Sequence, residues 1–158
     1  MDIRTGSAID VHAFSGDESK PLQLACLTWE GERALEGHSD ADVAAHAVAD
    51  ALLIASGIGE LGTVFGTDKP EWQGASGEAL LIEAVRLVRA DGWDISNATV
   101  QIIAQRPRFA PRKAEAEAAM SAVVGAPVSV AATTTDHLGF LGREEGIAAL
   151  ASVLLLRP

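Results

Sequence analysis

Apolar and polar residues alternate from Asp2 toward Phe14, with β-branched Ile3 and Ile9 among them, which predicts a strand ending near Asp10-Val11-His12. Residues 21–28 continue as hairpin-like strands. The period then lengthens. Val43, Ala47, Val48, Ala51, Leu52 and Ala55 recur at helical spacing, and Ser39 followed three residues later by Asp42 resembles a capping box, so a helix is expected over about 40–56. Asp42, His46 and Asp50 stand four apart along it, and their shared stripe must face something polar. Gly57-Ile58-Gly59-Glu60-Leu61-Gly62 ends that helix. The chain to Gly74, rich in Gly, Thr and Asp with Pro70, reads as a functional loop or flap. Ser76 opens a second helix through Leu80, Leu81, Ala84, Val85, Leu87 and Val88 to Gly92. Residues 98–104 read as a buried strand, Pro107 and Pro111 enclose a loop, an Ala/Glu-rich helix ends at Gly125, and 128–133 form another strand. Residues 146–156 fit either helix or strand; the strand-helix-strand order before them favours a closing strand.

This order predicts one α+β domain over 1–158, a mixed four-stranded sheet with helices on one face. The sheet's other face then needs a cover, and copies of the same chain would supply it, so a homo-oligomer is expected. Composition refines this. Hydrophobic residues make up 48% of the 158 positions while aromatics reach 4% and Tyr is absent, so the core is aliphatic. The apolar runs at 51–55 and 148–156 are far shorter than the roughly 20 residues that cross a bilayer, so no membrane partner is expected. Met1-Asp2-Ile3-Arg4 lacks the form of a signal, which points to a cytoplasmic location. The single cysteine, Cys26, reads as packing. A net charge of −10 argues against a nucleic-acid partner but leaves room for a small phosphorylated ligand held by metal ions, backbone amides and a few Arg residues.

Three constellations carry chemistry. Asp10 and His12, two apart on a strand, point to the same face, and His46 needs only to arrive from the following helix. Such a set offers three ligands suited to zinc and leaves a fourth tetrahedral position open, the arrangement of a catalytic rather than a structural site. The pattern alone also fits an ordinary Asp-x-His and solvated helix residues. Second, Thr133-Thr134-Thr135-Asp136 at a strand end offers donors for phosphate oxygens and a carboxylate for a hard divalent cation such as Mg²⁺, or simply turn residues. Arg143, between Gly142 and Gly146, fits a phosphate clamp or a structural ion pair. Third, Ala104-Gln105-Arg106-Pro107-Arg108-Phe109-Ala110 can form a pocket for a nucleobase edge, or only a basic loop. No Walker or dinucleotide-binding glycine fingerprint is present.

Taken in order, Asp10-Val11-His12, Gly37-His38-Ser39-Asp40-Ala41-Asp42-Val43-Ala44-Ala45-His46, Ile103-Ala104-Gln105, Ala132-Thr133-Thr134-Thr135 and Leu138-Gly139-Phe140 with Gly142-Arg143 resemble the 2-C-methyl-D-erythritol 2,4-cyclodiphosphate synthase family along nearly the whole chain. The resemblance implies a homotrimer packed through its sheets, with active sites at subunit boundaries. It implies Zn²⁺ on Asp10, His12 and His46, and a second divalent cation, Mg²⁺ or Mn²⁺, near Asp136. The implied substrate is a cytidyl diphosphate, 4-diphosphocytidyl-methylerythritol 2-phosphate, cyclised with loss of CMP. His38 and Thr134 would be catalytic. Ser39, Glu60, Leu61, Gly62, Phe65 and Lys69 would hold the erythritol phosphate. Ala104, Pro107, Arg108, Phe109 and Ala110 would hold cytidine, and Thr133, Thr135, Phe140 and Arg143 would lie near the diphosphate. Glu60 and Leu61 stand where the family usually has Asp and Ile, Gly66 to Lys69 where it has Pro-Asp-Thr-Asp, and Asp136 where Glu is common. A zinc-dependent phosphohydrolase and a non-catalytic trimeric binding module for nucleotide or isoprenoid ligands are the competing functions.

Overall fold

The computed structural model describes residues 1–66 and 68–158; Thr67, within the expected erythritol-phosphate loop, lies outside the described residues. In chain order the elements are β1 (Asp2–Ala13), β2 (Pro21–Leu24), β3 (Leu27–Arg33), α1 (Val43–Ser56), α2 (Leu61–Val64), α3 (Gly77–Ala90), β4 (Asp94–Ile103), α4 (Lys113–Val124), β5 (Val128–Thr133), α5 (Gly139–Gly142) and β6 (Gly146–Arg157), with single 3₁₀ turns at Pro70–Trp72 and Ala110–Arg112. The main sheet runs β1-β6-β4-β5, and β2 and β3 form a separate hairpin. The ambiguous last segment is therefore a strand. It lies antiparallel between β1 and β4, while β5 joins β4 in parallel through the α4 crossover. The strand expected over 98–104 begins earlier, at Asp94, because pairing with Leu156 of β6 extends it across an irregularity between Ile95 and Asn97.

α1 is buried on nearly every side, which explains its weak apolar periodicity. Val43, Val48, Leu52 and Leu53 are fully enclosed between the sheet and α3, whose own stripe of Leu80, Leu81, Ala84, Val85 and Val88 faces inward. Close contact with β1 requires Gly6, since a Cβ there would stand 2.3 Å from the Ala51 carbonyl oxygen. Along β1 the inward stripe runs Gly6, Ala8, Asp10, His12: the first two residues vanish under α1 and the last two emerge beside its first turn.

The capping residue of α1 is Asp42, not Ser39. Ala41 sits at φ 58°, which the helix cannot include, and the Asp42 carboxylate accepts from Ala45 N–H. The Asp42, His46, Asp50 stripe does face polar groups, each differently: Asp42 caps α1, His46 reaches Asp10, and Asp50 accepts from Leu61 N–H at the start of α2. Asp42 also receives the N–H groups of Ala25 and Cys26, so one buried carboxylate fastens the β2–β3 turn to the helix. Cys26 packs against the core as expected, and burial, reinforced by the Asp42 charge, pushes its thiol upward, away from reactivity. The sheet's opposite face is uncovered and mixes apolar side chains with small polar ones such as Ser7 and Ser152. Ile3, Ile9, Val11 and Leu150 are 61%, 67%, 45% and 42% exposed on it.

Candidate active site

The three expected ligands meet. Asp10 Oδ2 lies 3.1 Å from His12 Nε2 and 3.3 Å from His46 Nδ1, and one ligand atom from each residue falls within 4.8 Å of the others. Both rings are oriented from behind. His12 Nδ1 donates to the Glu36 carbonyl at 2.7 Å, which leaves Nε2 as a lone pair facing the centre. His46 Nε2 lies 3.0 Å from the Ser39 hydroxyl, so a metal on Nδ1 leaves Nε2–H to donate to Ser39.

The donor set fits a metal. Asp10 Oδ2 is buried and accepts no well-formed hydrogen bond, and lone pairs converging on it need a cation between them. Burial pushes the Asp10 carboxyl upward, yet the close approach and charge of the His12 and His46 rings outweigh it and hold the group at about 2. Reciprocally, the bond to Asp10 raises His12 above its usual value against the effect of burial. Among the described residues no other group of three His, Cys, Asp or Glu side chains converges in this way. Removing the Ser39 hydroxyl by Ser39→Ala is expected to weaken metal affinity by about 10-fold to 100-fold without unfolding the protein, as read by competition with a chelator.

The metal group opens onto a cleft of about 220 Å³ lined by His38, Ser39, Leu61, Gly62, Phe65 and Trp72 among others. Phe65 is fixed edge-on against Trp72, ring centroids 4.8 Å apart. Glu60 and Lys69 lie outside this lining. Glu60 is exposed at the start of α2, where its N–H donates to Thr63 Oγ, and Lys69 Nζ donates to the Val64 carbonyl at 2.6 Å, closing the other end of that short helix. Both residues thus help to satisfy the ends of this one-turn helix, Glu60 through its main chain and Lys69 through its ammonium group.

A second cleft, about 610 Å³, is lined by Ala104 to Ala110 together with Ala132, Thr133 and Thr134. Thr135, Asp136, Phe140 and Arg143 are not part of that lining. Thr135 Oγ donates to the Leu138 carbonyl at 2.7 Å, Asp136 sits at φ 53° with its N–H on Thr134 Oγ, Phe140 is exposed, and Arg143 Nε pairs with Glu145 at 2.7 Å. Within one chain Arg143 thus makes the ion pair rather than a clamp. The two clefts share no lining residue. Sequence reasoning missed Glu36, whose contribution is a main-chain carbonyl, and Trp72; neither bears a signal beyond its place in a Gly-rich or Pro-containing loop.

Comparison with known proteins agrees with this geometry. The YgbB family model matches residues 3–156. The 2-C-methyl-D-erythritol 2,4-cyclodiphosphate synthase of Cutibacterium acnes is 56% identical over 99% of this chain and 93% of its own length, and that of Acidothermus cellulolyticus is 53% identical over 96% and 93%. A solved structure of such a synthase in a CDP-bound form superposes with a TM-score of 0.87 at 32% identity, covering 97% of this chain and 100% of the other. With an Asp-His-His group opening onto a cleft, a fold of this shape and identity of this extent, the chain belongs to the YgbB family of 2-C-methyl-D-erythritol 2,4-cyclodiphosphate synthases.

Proposed function

We propose that this chain converts 4-diphosphocytidyl-2-C-methyl-D-erythritol 2-phosphate into 2-C-methyl-D-erythritol 2,4-cyclodiphosphate and CMP, a phosphorus-oxygen lyase step of non-mevalonate isoprenoid biosynthesis. The observation that carries this reading is the convergence of Asp10, His12 and His46 around a buried carboxylate oxygen, in a chain 56% identical to a named synthase. The metal is zinc, by the Asp-His-His donor set. Bound there, it would supply Lewis-acid polarisation of a phosphate oxygen.

The chain's own residues then have to bring two phosphates together. The substrate's 2-phosphate attacks the β-phosphorus, the bond from that phosphorus to the bridging oxygen breaks, and CMP leaves with the electron pair. No protein nucleophile takes part. Positioning and donors directed at the developing charge do the chemistry. His38, exposed at the mouth of the metal cleft, and Thr134, at the end of the second cleft, contact the transferring phosphoryl group. Ser39, Glu60, Leu61, Gly62, Phe65 and Lys69 hold the erythritol phosphate end. Ala104, Pro107, Arg108, Phe109 and Ala110 hold cytidine, while Thr133, Thr135, Phe140 and Arg143 stand near the diphosphate. Asp136, a lone carboxylate, binds a second divalent cation, Mg²⁺ or Mn²⁺, whose other ligands are substrate phosphates and water.

One active site is assembled from two chains of a homotrimer. This accounts for two facts together: the metal cleft and the second cleft share no residue, and the sheet leaves Ile3, Ile9, Val11 and Leu150 exposed on its uncovered face. Light scattering of the purified protein is expected to report three chains per particle; a monomer overturns the composite site.

The deciding experiment is product analysis with zinc-replete protein, the cytidyl substrate and Mg²⁺. CMP with the cyclic diphosphate is the expected result. Linear methylerythritol bisphosphate in place of the cyclic product would make the protein a zinc-dependent phosphohydrolase, and CDP binding with no CMP released would make it a non-catalytic binding module.

A further inference from the structure

The β2–β3 hairpin pairs with no strand of the main sheet, and neither the metal group nor the second cleft draws its lining from Trp29 or Glu32. Yet the hairpin grips the segment that forms the floor of that cleft in three places. The Trp29 indole stacks on the Phe109 ring with centroids 5.4 Å apart and planes inclined by 29°, and both side chains are buried. The Arg112 guanidinium lies 4.6 Å over Trp29 while its Nη1 donates to the Thr28 carbonyl at 2.7 Å. At the other end of the segment Arg106 makes a two-pronged bond to Glu32, at 3.0 and 3.3 Å. Trp29 is itself immobilised, its Nε1 donating to the Leu24 carbonyl at 3.0 Å.

Arg106 and Arg112 bracket Pro107 to Ala110, which line the second cleft. Phe109 therefore belongs to both systems. One side of its surroundings is the cleft and the other is a tryptophan anchored to a hairpin. A nine-residue connection between β4 and α4 would otherwise have to be ordered by its ligand, and ordering at the moment of binding subtracts from affinity. Holding it beforehand gives that affinity back without touching the ligand.

We propose that Trp29 is a positioning residue of the second cleft. Through Phe109 it keeps residues 107–110 in the shape that accepts a pyrimidine nucleoside diphosphate, and the Glu32–Arg106 and Thr28–Arg112 contacts fix the two ends. This rests on the reading of the cleft as the cytidine site.

The test compares Trp29→Leu, which keeps an apolar side chain but abolishes the stack, with Trp29→Phe, which keeps a stack. CDP affinity is measured by calorimetry alongside kcat, KM, metal content and Tm. Trp29→Leu is expected to weaken CDP and raise KM about fivefold to tenfold, with kcat and metal content near those of the parent. Trp29→Phe recovers most of the loss. Arg112→Met, which leaves the core intact, moves CDP affinity in the same direction by a smaller factor. A folded Trp29→Leu protein with parental CDP affinity and a lowered Tm overturns the proposal, since Trp29 is then packing alone. If Trp29→Leu does not fold, Arg112→Met decides, and unchanged CDP affinity in that variant overturns it. Parent protein that binds no CDP instead defeats the cytidine reading of the cleft and this proposal with it.

Discussion

Replacing His46 by Ala yields a folded protein that holds no stoichiometric metal and forms cyclodiphosphate at least about 10³-fold more slowly than the parent. The size of the effect follows from what the side chain does. It is one of three protein ligands, and disturbing even a residue that merely orients a ligand typically costs about 10-fold to 100-fold in metal affinity. Losing Lewis-acid assistance is worth several kcal/mol of barrier, with each tenfold in rate corresponding to about 1.4 kcal/mol. Stability should hold, because Ala is a strong helix former and α1 remains enclosed by Val43, Val48, Leu52 and Leu53. Metal analysis by mass spectrometry, circular dichroism and the product assay check the three parts. A variant with a full complement of metal would refute the ligand assignment outright.

Asp42→Ala is expected to be the most damaging substitution for stability, about 3 to 5 kcal/mol, although it touches neither the metal nor a cleft. The carboxylate is 1% exposed and accepts from the N–H groups of Ala25, Cys26 and Ala45 at 2.9, 2.8 and 3.1 Å. Alanine leaves these donors without an acceptor, and each buried unpaired group costs about 1 to 3 kcal/mol. Burial raises the pKa of this carboxyl, with the three amide bonds opposing, so the group is costly to keep charged and the amides are what make it tolerable. Asp42→Asn retains one acceptor oxygen and should lose about half as much. Urea denaturation of the three proteins measures this. Equal stability of Asp42→Ala and the parent would mean that the β2–β3 turn is not tied to α1 through this side chain.

Much of the fold is legible along the chain because β1, α3 and β5 each bury one face and expose the other. α1 was legible from apolar residues at helical spacing between Val43 and Ala55 and from cap residues ahead of them, although the helix is buried on nearly every side. The metal group could be found from residue types because Asp10 and His12 lie on one strand face and few His residues compete for the role. What stayed hidden has a common physical origin. Ser39 and Asp42 are both good caps, and only the backbone, with Ala41 at φ 58°, decides that Asp42 takes the helix while Ser39 turns to His46. Lys69 carries a charge that a phosphate-binding loop could use, but here its ammonium group donates to the Val64 carbonyl at the end of a one-turn helix, a partner that no sequence pattern reveals. Trp29 and Phe109 meet across a sequence separation that no local pattern spans.

The two histidines of the metal centre differ in how readily evolution can reach their supports. The acceptor behind His12 is the carbonyl of Glu36, which every amino acid at that position would supply, so the side chain there is free to drift. The acceptor behind His46 is the hydroxyl of Ser39, which a single codon change can erase. Disturbing His12 takes a change in the path of the chain itself, and the nearest lever is Gly37, where a Cβ would stand 3.1 Å from the His12 ring carbon Cε1. Half of the centre's alignment is thus written in the route of the backbone and half in the identity of one serine. Variation at the site should collect at position 36 and be purged at 37 and 39.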